Sequence, residues 1–100
     1  MKNKVEVNDF TNLGYEIGKL VAEKNEAYGD SFGKIGNVMR ELYPDGICAV
    51  QMDDALTVVR VLDKLFRIAT KKDAFGESPW KDICGYGLLG WKRDEEKKSK

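Results

Sequence analysis

The sequence predicts an all-α protein, a four-helix bundle, in a chain of 100 residues. Apolar residues alternate at spacings of four and three along residues 51–71, which is the pattern of a helix packed in a bundle. Turn signals at Pro44-Asp45-Gly46 and at Phe75-Gly76 separate the helical stretches. We therefore expect a single helical domain over residues 1–91, followed by a charged, frayed tail over residues 92–100.

The first two helices are predicted over residues 9–28 and 32–42. The apolar face of the first helix is formed by Phe10, Leu13, Ile17, Leu20 and Val21. The same projection places Lys24 and Tyr28 within that face. After Tyr28, Gly29 suits a tight turn, and Asp30 or Ser31 is expected to cap the second helix.

The third and fourth helices are predicted over residues 51–71 and 79–92. The third carries apolar residues over about half its circumference, which favours a central position and makes it a candidate dimer seam. Ser78-Pro79 matches a cap followed by proline in the first helical turn. The fourth helix contains Gly85, Gly87 and Gly90, for which we expect close backbone packing as compensation.

Charge and length limit the classes of function. The 17 basic residues balance the 17 acidic ones, which argues against a general binder of nucleic acids or membrane surfaces. No apolar stretch approaches the ~20 residues that span a bilayer, and the N-terminus does not resemble a signal peptide, so a cytoplasmic location is expected. A chain this short buries only part of its surface, so a homo-oligomer is expected.

Cysteine and histidine usage narrows the chemistry. Cys48 and Cys84 lack metal-site spacing and stand in apolar surroundings, so buried thiols are expected. Histidine is absent, which removes histidine-based acid–base chemistry and the commonest transition-metal ligand. Carboxylates holding a hard cation such as magnesium remain the plausible catalytic machinery.

A charged stripe lies on the side of the third helix opposite its apolar arc. Its members are Arg60, Asp63, Lys64 and Arg67, spaced at i, i+3, i+4 and i+7. Three cations around one carboxylate suit a polyphosphate. The alternative is a solvated face held together by an Asp63–Arg67 pair.

Two further positions carry candidate chemistry. Lys24 points toward the apolar side of the first helix, so its ammonium group either meets an anion or extends out to solvent. Asp82 lies in a largely apolar helix, where it needs a metal ion or a structural partner such as Arg60 or Arg67. By residue type, magnesium ligands are also available in the first helix at Glu16, Glu23 and Glu26, although these positions also suit a solvated face.

Three blocks of sequence resemble a known group. They are Lys24-Asn25 with Tyr28-Gly29-Asp30-Ser31-Phe32, then Arg60-Val61-Leu62-Asp63-Lys64 with Arg67-Ile68, then Ser78-Pro79-Trp80-Lys81-Asp82-Ile83 with Gly85-Tyr86-Gly87-Leu88-Leu89. The chain resembles small phage and prophage proteins allied to the MazG-like all-α nucleotide pyrophosphohydrolases, over roughly residues 21–91. The resemblance implies a dimeric or tetrameric helical bundle that uses magnesium to cleave nucleoside triphosphates between the α- and β-phosphates, in the host cytoplasm if a phage encodes it.

The resemblance also implies roles for individual residues. Asp63 and Asp82 would be catalytic and would hold magnesium. Lys24, Lys64 and Arg67 would meet phosphate oxygens, and Tyr28 would lie against the base or ribose. Two residues are added from the sequence pattern: Glu23, by its residue type, as a further magnesium ligand, and Arg60, from the charged stripe, as a further phosphate contact.

The acidic pattern departs from that of the superfamily. Its metal sites usually combine an ExxE pair with an ExxD pair, whereas here the only ExxE in the first helix is Glu23 with Glu26, and no ExxD includes Asp82. A non-catalytic nucleotide-binding protein is therefore the alternative, for instance one that sequesters a signalling nucleotide of host defence. A purely structural bundle, whose charges form surface pairs, is the third possibility.

Overall fold

A computed structural model describes residues 7–98 of the chain. The described part is all-helical, with α1 at Val7–Ala27, α2 at Ser31–Leu42, α3 at Met52–Lys71 and α4 at Pro79–Lys98. Short 3₁₀ turns at Ala49–Gln51 and Ala74–Gly76 precede α3 and α4. No strand occurs between residues 7 and 98. The prediction of four helices is confirmed.

α3 is the central helix, because it contacts α1, α2 and α4. Among its residues, Ala55 and Arg67 are buried. Only the C-terminal part of α1 joins this arrangement, with Ala27 as the buried residue of that helix. The rest of α1 lies on the outside, so only the end of α1 near Lys24 and Ala27 is held by another helix.

The α1–α2 connection is a glycine-dependent helix end. Gly29 is left-handed at φ 61°, its N–H donates to the carbonyl of Glu26 at 3.2 Å, and the N–H of Asp30 donates to the carbonyl of Asn25 at 3.0 Å. These two bonds form a Schellman motif, which commonly places glycine at the left-handed position. A Cβ at Gly29 would also collide with the Thr70 hydroxyl of α3. Gly29 therefore allows α1 and α2 to meet α3 closely.

The cap of α2 differs from the expected side-chain cap. Asp30 occupies the capping position in a left-handed conformation, φ 58°, but its side chain makes no capping hydrogen bond. The hydroxyl of Ser31 also does not cap, because it donates to Asp63 of α3. Long-range contact with α3 has replaced the local bond that the sequence predicts.

The predicted end of the fourth helix is wrong, since α4 continues to Lys98. Its last turns contain the ion pairs Lys92–Glu96 at 2.8 Å and Lys98–Glu95 at 3.5 Å. Oppositely charged residues at these spacings stabilise a helix by about 0.2–0.5 kcal/mol per pair without apolar contacts. Residues 99 and 100 of the predicted tail lie outside the described residues.

Two expectations of close packing, around the cysteines and around the glycines of α4, are also wrong. Cys48 and Cys84 are exposed, so the prediction of buried thiols is wrong. Apart from the local backbone of α4 itself, a Cβ at any of its three glycines would meet no atom within 4 Å, so the described chain provides no close packing there. Apolar neighbours in the sequence do not bury a residue when no second element covers its helix face.

No helix among residues 7–98 has both the length and the apolar character required to cross a lipid bilayer.

Candidate functional site

A pocket lies between the end of α1, the start of α2 and the middle of α3. Its volume is about 750 Å³, within the range of roughly 300–1,000 Å³ typical of small-molecule sites. It is lined by Leu20, Val21, Lys24, Asn25, Tyr28, Ser31, Phe32, Ile35, Gly36, Val59 and Asp63. The walls are mostly apolar, and a few polar groups from three helices converge on them, which is the usual composition of a binding site for an organic molecule.

Asp63 is held in the pocket by a hydrogen bond from a buried hydroxyl. Ser31 is only 6% exposed, and its Oγ donates to Oδ1 of Asp63 at 2.7 Å. Ser31 follows the turn at Gly29 and Asp30, so the backbone of that turn positions the donor. This bond orients the carboxylate and replaces the Asp63–Arg67 pair that was the sequence-based alternative.

Lys64 and Asp82 form an ion pair between α3 and α4. Nζ of Lys64 lies 3.4 Å from Oδ2 of Asp82, and their side chains are 17% and 34% exposed. The structural partner of Asp82 is thus Lys64, rather than Arg60 or Arg67. The pair connects the charged stripe of α3 to the helix that carries Asp82.

Two cationic side chains and two aromatic rings lie together beside the pocket, where the end of α1, α3 and the loop before α4 meet. Tyr28 and Phe75 have ring centroids 6.1 Å apart. Lys24 Nζ lies 5.8 Å from the centroid of Phe75, and Lys64 Nζ lies 5.9 Å from that of Tyr28. Both distances are within the range of cation–π attraction. We call Lys24, Tyr28, Lys64 and Phe75 the cation–aromatic cluster.

Phe75 was not predicted as a site residue. It adopts a left-handed conformation, φ 67°, in the loop before α4. Such a conformation costs a non-glycine residue roughly 1–2 kcal/mol, and the contacts of its ring with Tyr28, Lys24 and Arg67 offset that cost. The sequence signals a break at Phe75-Gly76 but does not show which way the ring points. Asn25 also lines the pocket, although the sequence analysis gave it no role in a site.

Arg67 does not lie among the residues that line the pocket. It is 3% exposed, its guanidinium donates to the backbone carbonyl of Glu77 and to that of Lys72 at 3.4 Å, and it stacks on Phe75 at 5.9 Å. These contacts hold the loop between α3 and α4. We therefore interpret Arg67 as a residue that positions Phe75, in contrast to the phosphate contact implied by the resemblance.

Replacing Arg67 with alanine is expected to lower the free energy of unfolding by about 2–3 kcal/mol, because the backbone carbonyls of Lys72 and Glu77 both lose hydrogen bonds from a buried, charged donor. Arg60→Ala is the matched control on the same helix. Arg60 is exposed and stacks on Tyr86 at 5.9 Å, so its loss should cost less than about 1 kcal/mol. Urea unfolding of both variants measures the difference, and equal losses would contradict the structural role of Arg67.

Arg60 belongs to a different surface from the pocket. Its partner Tyr86 helps to line a second groove, of about 580 Å³, between α3 and α4. The four residues of the predicted charged stripe on α3 therefore do not share one site. Asp63 lies at the pocket, and Lys64 lies near Tyr28 and Asp82. Arg67 lies under the loop before α4, and Arg60 lies beside the second groove.

The predicted magnesium ligands are not assembled into one group. Among residues 7–98, no three His, Cys, Asp or Glu side chains lie close enough together to hold a metal ion. Asp63 accepts from Ser31, Asp82 pairs with Lys64, and Glu23 lies on the exposed surface of α1. The donor set of one described chain therefore does not fit a three-carboxylate magnesium site.

Comparisons of the chain with models of protein families, with curated proteins and with solved structures each found no match.

Proposed function

We propose that this protein binds a nucleotide in the pocket between α1, α2 and α3. The observation that carries the proposal is that two members of the cation–aromatic cluster, Lys24 and Tyr28, line an apolar pocket of about 750 Å³. Through its contacts with Phe75 and Lys64, the cluster brings two ammonium groups and two linked aromatic rings together beside that pocket. A nucleotide combines a flat, largely apolar base with anionic phosphates, so it needs both kinds of surface side by side.

The parts of the ligand are assigned by chemistry. The base lies against the apolar walls and the ring of Tyr28, since aromatic stacking is tolerant of the base identity and worth about 1–3 kcal/mol per base. The phosphates lie at Lys24, whose ammonium group is exposed and rests only on the Phe75 ring in the contacts described. Lys64 contributes a second positive charge, shared with Asp82.

Asn25 and Asp63 supply the polar contacts that give orientation. Both line the pocket, one as an amide and the other as a carboxylate fixed by Ser31. A carboxylate accepts hydrogen bonds from hydroxyl or amino groups. Asp63 therefore suits a ribose hydroxyl or an exocyclic amine better than a phosphate, which it would repel.

Magnesium-dependent pyrophosphohydrolysis within a MazG-like bundle is the second candidate. The observation that favours it is the ion pair of 3.4 Å between Lys64 and Asp82, which places one of the expected metal ligands beside one of the expected phosphate-binding cations. Binding requires only the cationic and aromatic contacts already described, whereas hydrolysis also requires a bound magnesium ion, so binding is the first proposal and hydrolysis the second. In the binding-only case the protein sequesters its nucleotide and releases it unchanged.

A thermal-shift screen of linear and cyclic nucleotides, with magnesium and with EDTA, tests both candidates. Binding predicts a higher melting temperature with a nucleotide in EDTA, because a ligand selective for the folded state stabilises it. Mass spectrometry then separates the two: intact nucleotide indicates sequestration, whereas monophosphate with pyrophosphate, formed only with magnesium, indicates hydrolysis. No shift with any nucleotide in either buffer would refute the proposed function.

A further inference from the structure

The outer part of α1 carries an apolar face that the described chain leaves uncovered. Its residues are Phe10, Leu13, Ile17, Leu20 and Val21, all large and all exposed, from 45% for Leu20 to 65% for Phe10. Phe10, Leu13, Ile17 and Leu20 follow each other at spacings of three, four and three. This spacing forms the seam of two helices that pack side by side.

The total surface of the chain is too large for a compact monomer. It exposes 7978 Å², whereas a folded monomer of 11.3 kDa exposes about 5,700 Å². The excess, roughly 2,300 Å² per chain, exceeds the ~800 Å² that each partner contributes to an interface of standard size and falls in the range of obligate assemblies. The radius of gyration leads to the same conclusion, because it is 18.5 Å against about 13 Å for a compact chain of this length.

The interior of one described chain is correspondingly small. Its buried apolar residues are Ala27, Ile35, Ala55 and Pro79. Their burial is a small fraction of what offsets the conformational entropy of an ordered domain. Whatever covers the apolar face of α1 must therefore be present whenever the chain folds. A second copy of the same chain is always available at that moment. Equal numbers of acidic and basic residues mean that two copies do not repel each other through net charge.

We propose that this apolar face of α1 packs against a second copy of the chain, and that folding and assembly are one process. Leu20 and Val21 belong both to the face and to the pocket wall. The interface therefore continues to the edge of the pocket. The proposed interface lies on α1, whereas the sequence analysis suggested the third helix as the dimer seam.

The mass of the native protein, measured by sedimentation across low to high micromolar concentrations, is the first test. We expect at least twice the 11.3 kDa of one chain, and a melting temperature that rises with protein concentration, as for an obligate oligomer. A folded monomer throughout this range would overturn the proposal. Neither measurement depends on nucleotide binding, so this proposal and the proposed function fail independently.

Two variants on α1 locate the interface. Ile17→Asp places a charge in the seam, whereas Ala22→Asp places the same charge about 140° around the helix, on an exposed position. We expect Ile17→Asp to lose the oligomer and Ala22→Asp to keep the mass and helicity of the native protein. An Ile17→Asp oligomer of unchanged mass would overturn the proposal.

Hydroxyl-radical footprinting of the unmodified protein decides the case in which Ile17→Asp does not fold. Phe10 lies on the proposed interface and Tyr15 on the opposite side of the same helix. Relative to the unfolded chain, protection of Phe10 should exceed that of Tyr15 severalfold. Equal reactivity of the two rings in a native oligomer would place the contact elsewhere and overturn the assignment to α1.

Discussion

Replacing Lys24 with alanine is expected to weaken nucleotide binding about 10- to 100-fold. Its ammonium group is exposed at the pocket and makes no ion pair described in the structure, so a phosphate oxygen can approach it directly. A charge-assisted hydrogen bond contributes about 1.5–3 kcal/mol, and 1.4 kcal/mol corresponds to a tenfold change in Kd. Isothermal titration calorimetry with a nucleotide that stabilises the native protein measures the loss.

Lys19→Ala is the matched control for this prediction. Lys19 lies on the same helix and its ammonium group rests on the Tyr15 ring at 5.7 Å, but it does not line the pocket. Its removal changes the net charge equally, so the affinity should stay within about twofold once long-range charge effects are screened by salt. Equal weakening by both variants would indicate a nonspecific effect of charge, and the phosphate contact at Lys24 would be wrong.

Filling the pocket through Gly36→Leu is expected to reduce nucleotide affinity at least tenfold while the fold is retained. Gly36 lines the pocket within α2, and a Cβ there would meet only the Arg40 guanidinium, at the ordinary contact distance of 3.5 Å. The leucine side chain would extend into the space assigned to the base. Replacing glycine inside a helix also removes a penalty of up to about 1 kcal/mol. Circular dichroism and calorimetry together measure the two effects.

Gly36→Ala provides the control, because it gives the same helix stabilisation but adds only one methyl group to the pocket wall. Its affinity should remain close to that of the unmodified protein. If Gly36→Leu bound nucleotide as tightly as Gly36→Ala, the base would not occupy this pocket. If neither variant were folded, Val59→Phe, which fills the pocket from its α3 wall, would repeat the experiment and should also lower the affinity at least tenfold.

The helical period predicted the positions of the four helices and the central place of α3 correctly. The end of α4 and the exposure of both cysteines were predicted wrongly. Both predictions relied on the apolar residues nearby in the sequence. The last turns of α4 instead contain local ion pairs, and the thiols are exposed because no second helix covers them.

The candidate site was predictable only in part. Lys24, Tyr28 and Asp63 were identified from their spacing, and all three line one pocket. Phe75 was missed, and Arg67 was assigned a phosphate contact that its burial beneath the loop does not support. Helical spacing relates residues on one helix face, but it contains no information on which loop crosses that face.

The sequence by itself determined that the chain forms four helices, which faces of α1 and α3 are apolar, and which charged residues are available. Those properties depend on neighbours within one or two helical turns. Only the tertiary structure decided that Ser31 binds Asp63, that Lys64 rather than an arginine pairs with Asp82, and that Phe75 links Lys24 to Tyr28. Such contacts join residues far apart in the chain, and they form only when the helices pack at particular positions and angles.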